Sequence, residues 1–140
     1  MARLSAADAE ARARAALGVA PAERAEALLV ERLDRPDEAY YLVLFGPEPA
    51  TSAVATVDAS TGRVTSVARL SGGRPHLGVA RERALQIAGI FDAPAVELVW
   101  RPCQASRSPL YPIWRVVGAT ATVFVDQQGK RWDQLSLGIA

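Results

Sequence analysis

Two patterns recur along this chain at nearly the same spacing, and they constrain the fold more tightly than any composition figure. Ala11-Arg12-Ala13-Arg14-Ala15-Ala16-Leu17 returns as Ala80-Arg81-Glu82-Arg83-Ala84-Leu85. Ala53-Val54-Ala55-Thr56-Val57-Asp58, followed by Gly62, returns as Ala121-Thr122-Val123-Phe124-Val125-Asp126, followed by Gly129. The offsets, from 11 to 80 and from 58 to 126, are 69 and 68 residues. Two separate anchors agreeing on one period point to a duplicated supersecondary unit. The expected fold class is α+β, with two tandem helix-plus-antiparallel-sheet repeats in one compact unit. The first repeat is placed at 1–70, a linker at 71–78 and the second repeat at 79–140.

Local signals fill in each repeat. Ser5 and Asp8 form a helix start, their oxygens placed to satisfy amides that lack helical partners. Leu4, Ala7, Ala11, Ala15 and Gly18 then follow a three-or-four spacing, which predicts a narrow small-residue face packed on a sheet. Gly18 and Pro21 stop that helix, with a short extra turn around Ala22–Ala25 as an option. Strands are expected at Ala27–Leu33, Tyr40–Phe45, Thr51–Asp58 and Arg63–Leu70. Tyr40–Phe45 is apolar at successive positions, the pattern of a central strand covered on both faces. The loop from Asp58 to Gly62 ends in glycine because a tight hairpin connection often needs a positive φ. Ser71-Gly72-Gly73-Arg74-Pro75 reads as the linker. A second helix over about Val79–Gly89 places Ala80, Ala84, Ile87, Ala88 and Phe91 on one face. Strands follow near Val96–Arg101, Ile113–Val117, Thr120–Asp126 and Lys130–Ser136. The copies differ in two places: Arg101 to Trp114 spans 13 positions against 9 from Arg32 to Tyr41, and Trp114 to Asp126 spans 12 against 17 from Tyr41 to Asp58. The added length lies in Arg101–Pro112, and a long irregular loop in a compact domain is commonly functional or mobile.

Composition excludes several function classes. Half of the 140 residues are apolar and 22% are charged, a globular balance. Net charge is +1 with no extended block of one sign, so a nucleic-acid partner is not expected. No apolar run approaches the ~20 residues that span a bilayer, so no membrane span is expected. One cysteine, Cys103, cannot form an internal disulfide. The start of the chain lacks an apolar signal core, which suggests a cytoplasmic protein as given, or an exported one if a signal segment has been removed.

The helix, the aromatic strand and the Val-Asp-x-x-(x)-Gly turn together resemble the PepSY domain. The residues that carry this are Tyr40-Tyr41-Leu42-Val43-Leu44, Ala55-Thr56-Val57-Asp58 to Gly62, Ile113-Trp114-Arg115-Val116, and Val123-Phe124-Val125-Asp126 to Gly129. Cystatin-like domains show a similar helix-plus-sheet pattern. The resemblance implies a domain that binds or inhibits, often in the company of secreted peptidases, and carries no catalytic residue over. Asp58, Gly62, Asp126 and Gly129 correspond as turn-forming positions only.

Catalytic, cofactor and metal sites are not expected. Nucleophilic chemistry needs a base beside Cys103 or a serine, and His76 is the only histidine. One His and one Cys cannot make a zinc site. Asp34, Asp37 and Glu38 around Pro36 read as solvated turn carboxylates, and Ser71-Gly72-Gly73 lacks the lysine of a phosphate-binding loop. Trp100 and Trp114 are read as core residues, whereas Trp132, between Arg131 and Asp133, is read as a candidate contact. The expected function is a non-enzymatic protein- or peptide-binding module, inhibitory or regulatory by the PepSY resemblance. Its candidate interaction surface is Arg101, Cys103, Arg107, Tyr111 and Trp132, or an open sheet edge. An alternative is a small-ligand cleft between helix and curved sheet, lined by Tyr41, Trp114 and Phe124. Sheet edges also leave room for a homodimer.

Overall fold

The computed structural model describes residues 3–35, 37–47, 50–70, 74–91 and 95–135. The chain divides into two compact units, residues 1–31 with 35–76 and residues 32–34 with 77–140. The linker residues Ser71–Gly73, Pro36 and the end of the last expected strand at Ser136 lie outside the described residues.

The first unit begins with helix α1 (Ala6–Leu17). Ser5 caps it by accepting the Asp8 N–H at 3.1 Å, and Gly18 ends it in the left-handed region at φ 67°. The buried stripe is Ala9, Ala13 and Leu17, whereas Ala7, Ala11 and Ala15 are exposed. The three-or-four spacing therefore predicts the right period in the wrong phase. Both stripes are alanine, and Leu17, the one large apolar residue within the helix, sets the buried face.

Strands β1 (Ala25–Arg32), β2 (Ala39–Phe45), β3 (Ala53–Asp58) and β4 (Val64–Arg69) follow, each antiparallel to the one before. Alanines 9 and 13 of α1 meet Ala53 and Ala55 of β3 beside Val43, Phe45 and Val57. Small residues on both sides bring helix and sheet close. The residues of β2 and β3 that alternate with these, Leu42 and Val54, are also fully buried. The doubly apolar run of β2 thus has both faces covered.

The second unit holds α2 (Arg81–Ala88), β5 (Ala95–Trp100), β6 (Ile113–Val117), β7 (Thr122–Val125) and the two-residue β8 (Arg131–Trp132). Registry aligns Leu98, Trp114 and Val125 on one face, and Glu97, Arg115, Phe124 and Trp132 on the other. The Trp114 indole donates to Val79 O at 2.8 Å just before α2, which packs on β6 and β7. On the opposite face, Cys103 and Ala105 join Leu33 and Leu135 over Val99, Ile113 and Phe124. The Arg101–Pro112 loop is therefore the cover of a second small core. Its length follows from the apolar face it must shield from water.

The expected fold class is corrected by this architecture. The chain is mostly sheet: the strands run β4-β3-β2-β1 in the first unit and β5-β6-β7-β8 in the second, each antiparallel to its neighbour. Two short helices of 12 and 8 residues accompany them, and the contacts resolve into two units. This is not a pair of tandem helix-plus-antiparallel-sheet repeats in one compact unit, and it is α+β only in a loose sense. Recurring local sequence reports which segments become strands. Strand order depends instead on main-chain ladders, whose open edges are satisfied by further pairing. Smaller corrections follow the same logic. Residues 21–23 are a turn rather than helix, and β1 starts at Ala25. Helix α2 stops at Gly89 in the left-handed region, which leaves Phe91 off its buried face and 74% exposed. No helix among the described residues is long and apolar enough to cross a membrane.

Candidate functional site

Strand β4 ends the sheet, and among the described residues no strand pairs with its outer side. Its ladder to β3 determines what that side offers. Leu70 N–H donates to Ser52 O at 2.8 Å, and Ala68 faces Val54 two residues along. Antiparallel pairing alternates between bonded and non-bonded residue pairs. Val67 and Arg69, opposite Ala55 and Ala53, therefore turn their main-chain N–H and C=O outward. The side chains of the same two residues are exposed, Val67 by 51%. Further along, the register slips between Thr56 and Val57, leaving Thr65 as an extra residue on β4. The Thr65 and Thr56 hydroxyls lie 2.8 Å apart and hold this bulge. The free edge is thus short: two outward residues beside a bulge.

Arginines stand at both ends of this edge. At the hairpin end, Asp58 Oδ1 accepts the Ser60 and Thr61 amides, each at 2.8 Å. Gly62 completes the turn at φ 75°, a backbone that L side chains rarely adopt. The Arg12 guanidinium lies over it and donates to Gly62 O at 3.4 Å, with exposed Arg63 next in the chain. At the other end, the Arg69 guanidinium donates to Leu17 O at the close of α1. Exposed Arg74 is near in the fold, because Thr51 N–H donates to its carbonyl at 3.0 Å.

The residues singled out from sequence have different surroundings. Cys103 is 1% exposed, and its thiol and amide both point to Ser106 O. Ser106 braces the loop: its hydroxyl lies 2.6 Å from Tyr111 O and accepts the Trp100 indole N–H at 3.3 Å. Tyr111 presents its side chain at 42% exposure, and Arg107 is exposed. Arg101 is half-buried, with an Nε that has no hydrogen-bond partner. Trp132 is half-buried, its indole donating to Asp126 Oδ2 at 2.9 Å and its ring lying 4.2 Å from the Lys130 ammonium. Cys103 and Trp132 are thus committed to the core and to a turn, while Tyr111 and Arg107 face solvent.

Other candidate chemistry is equally well accounted for. His76 is 8% exposed in the first unit, its amide donating to Thr51 Oγ1. Asp34 pairs with Arg32 at 2.7 Å and Glu38 with Arg35 at 4.0 Å. Among the described residues no three potential metal ligands are grouped. Trp114 and Phe124 lie on opposite faces of the sheet, so they do not line one hollow. An open groove of about 560 Å³ runs along α1 past Ala7, Ala11, Ala15 and Pro21. Arg14 within it already donates to Glu10 and to the carbonyls of Ala20 and Glu23.

The β4 edge was identifiable in sequence only as a strand. Its signal, alternating exposed residues without an acid in Val64–Arg69, gains meaning once the strand order is known. No protein-family model, no curated protein and no solved structure matches this chain.

Proposed function

We propose that this protein is a non-enzymatic binding module that takes up an extended segment of a partner protein or peptide by strand addition at β4. The observation that carries this reading is the outward main-chain N–H and C=O of Val67 and Arg69, beside a half-exposed valine side chain. Such groups bind an extended chain through its backbone, with side chains on alternate positions supplying selectivity. The placement of Cys103 in a core favours binding over thiol chemistry. The PepSY resemblance makes peptidases the partner class to test first, as an inhibitory or regulatory target.

The test is titration of the full chain with an end-capped peptide of alternating Thr and Val, followed by fluorescence anisotropy. Val67→Pro removes an outward N–H while sparing the bonds to β3, so it is expected to abolish binding and leave the fold in place. Binding that survives Val67→Pro but is lost in Tyr111→Ala would move the site to the Arg101–Pro112 loop.

A further inference from the structure

The chemistry at the ends of the β4 edge narrows the partner, and this step rests on the strand-addition reading above. We infer that the segment accepted at β4 is acidic, with carboxylates flanking a short apolar stretch. Four arginines lie along this edge: Arg12 and Arg63 at the hairpin end, and at the other Arg69, itself one of the two outward residues, and Arg74. Strand β4 itself, Val64–Arg69, contains no acid. Among the described residues, two carboxylates accompany the arginines. Asp58 already accepts two turn amides, and exposed Asp8 sits one helical turn before Arg12. The balance at the edge is positive, and an extended chain laid along it passes both basic ends.

The same residues argue against a second copy of this chain as the occupant. Antiparallel pairing of two β4 edges would gather both sets of arginines along one seam. The Thr65 bulge and end charges are features that blunt edge-to-edge self-association. A partner of opposite charge meets no such obstacle. It gains two or more charge-assisted contacts in addition to the main-chain bonds. Apolar contact is limited to the surface around Val67, so the central residues need be only small or β-branched.

The experiment compares two fluorescein-labelled, end-capped peptides on the full chain, both alternating Thr and Val. One is closed by paired Glu at each end and the other by paired Lys. The acidic peptide is expected to bind about 10-fold or more tightly at low salt, since exchanging attraction for repulsion at both ends sums several exposed charge pairs. The difference is expected to shrink as salt is raised. Arg63→Glu with Arg74→Glu, which leaves the backbone of β4 untouched, is expected to erase or reverse the preference. Equal affinity for both peptides, lost in Val67→Pro, would overturn the acidic partner and leave strand addition standing. No binding of either peptide would overturn both. A concentration-dependent dimer in sedimentation, abolished by Val67→Pro, would show that the occupant is a second copy and overturn the inference.

Discussion

Asp126 is 4% exposed, yet each of its carboxylate oxygens is used. Oδ1 accepts the amides of Gln128 and Lys130, both at 2.9 Å, and Oδ2 accepts the Trp132 indole. The residue thus closes the β7–β8 turn and anchors the last tryptophan. Asp126→Ala is expected to cost about 2–3 kcal/mol, because it leaves several donors without an acceptor. Asp126→Asn, which keeps one oxygen, should recover part of that. Urea unfolding monitored by tryptophan fluorescence reads both, and a loss below about 0.5 kcal/mol would show that water replaces the carboxylate. Cys103 makes the converse point. Buried beside Val99 and Ile113, its thiol should resist iodoacetamide in the native protein and react once urea unfolds it. Rapid native alkylation would contradict its place in the core.

At the scale of elements, the sequence was most readable where side-chain chemistry differs between faces. The Ile113–Val117 strand is found at its expected bounds, and Trp100 is buried as expected, although β5 does not alternate in burial, since Leu98, Val99 and Trp100 are all buried. Helix α1 was readable in extent but not in phase, since alanine occupies nearly every side. That difference is measurable. Ala13→Leu forces a large side chain between helix and sheet and is expected to cost about 1–3 kcal/mol. Ala11→Leu, on the exposed groove side, is expected to stay within about 0.5 kcal/mol of the parent. Equal effects in thermal melts would mean that the assigned phase is wrong. The Arg101–Pro112 loop was readable as an insertion, but its role was not. Nothing local reveals that Cys103 and Ala105 cover Val99 and Ile113.

At the scale of the whole molecule, the hidden quantity is strand order. Val64–Arg69 reads as a strand from its own residues, whereas its place at the end of the sheet depends on ladders formed by distant segments. The same non-local pairing replaces the expected tandem helix-plus-sheet repeats in one compact unit with a mostly-sheet chain of two units and two short helices. The candidate residues Arg101, Cys103, Arg107, Tyr111 and Trp132 stand out by their side chains. The edge at Val67 and Arg69 is a feature of the main chain, to which side-chain motifs are blind. The most direct measurement is therefore residue-resolved amide hydrogen exchange across β4, free and with the Thr/Val peptide added. Fast exchange is expected at Val67 and Arg69 beside protected Ala68 and Leu70 in the free protein, with Val67 and Arg69 slowing as the peptide saturates. Protection of Val67 and Arg69 before any peptide is present, or exchange there that the peptide leaves unchanged, would contradict the strand-addition reading.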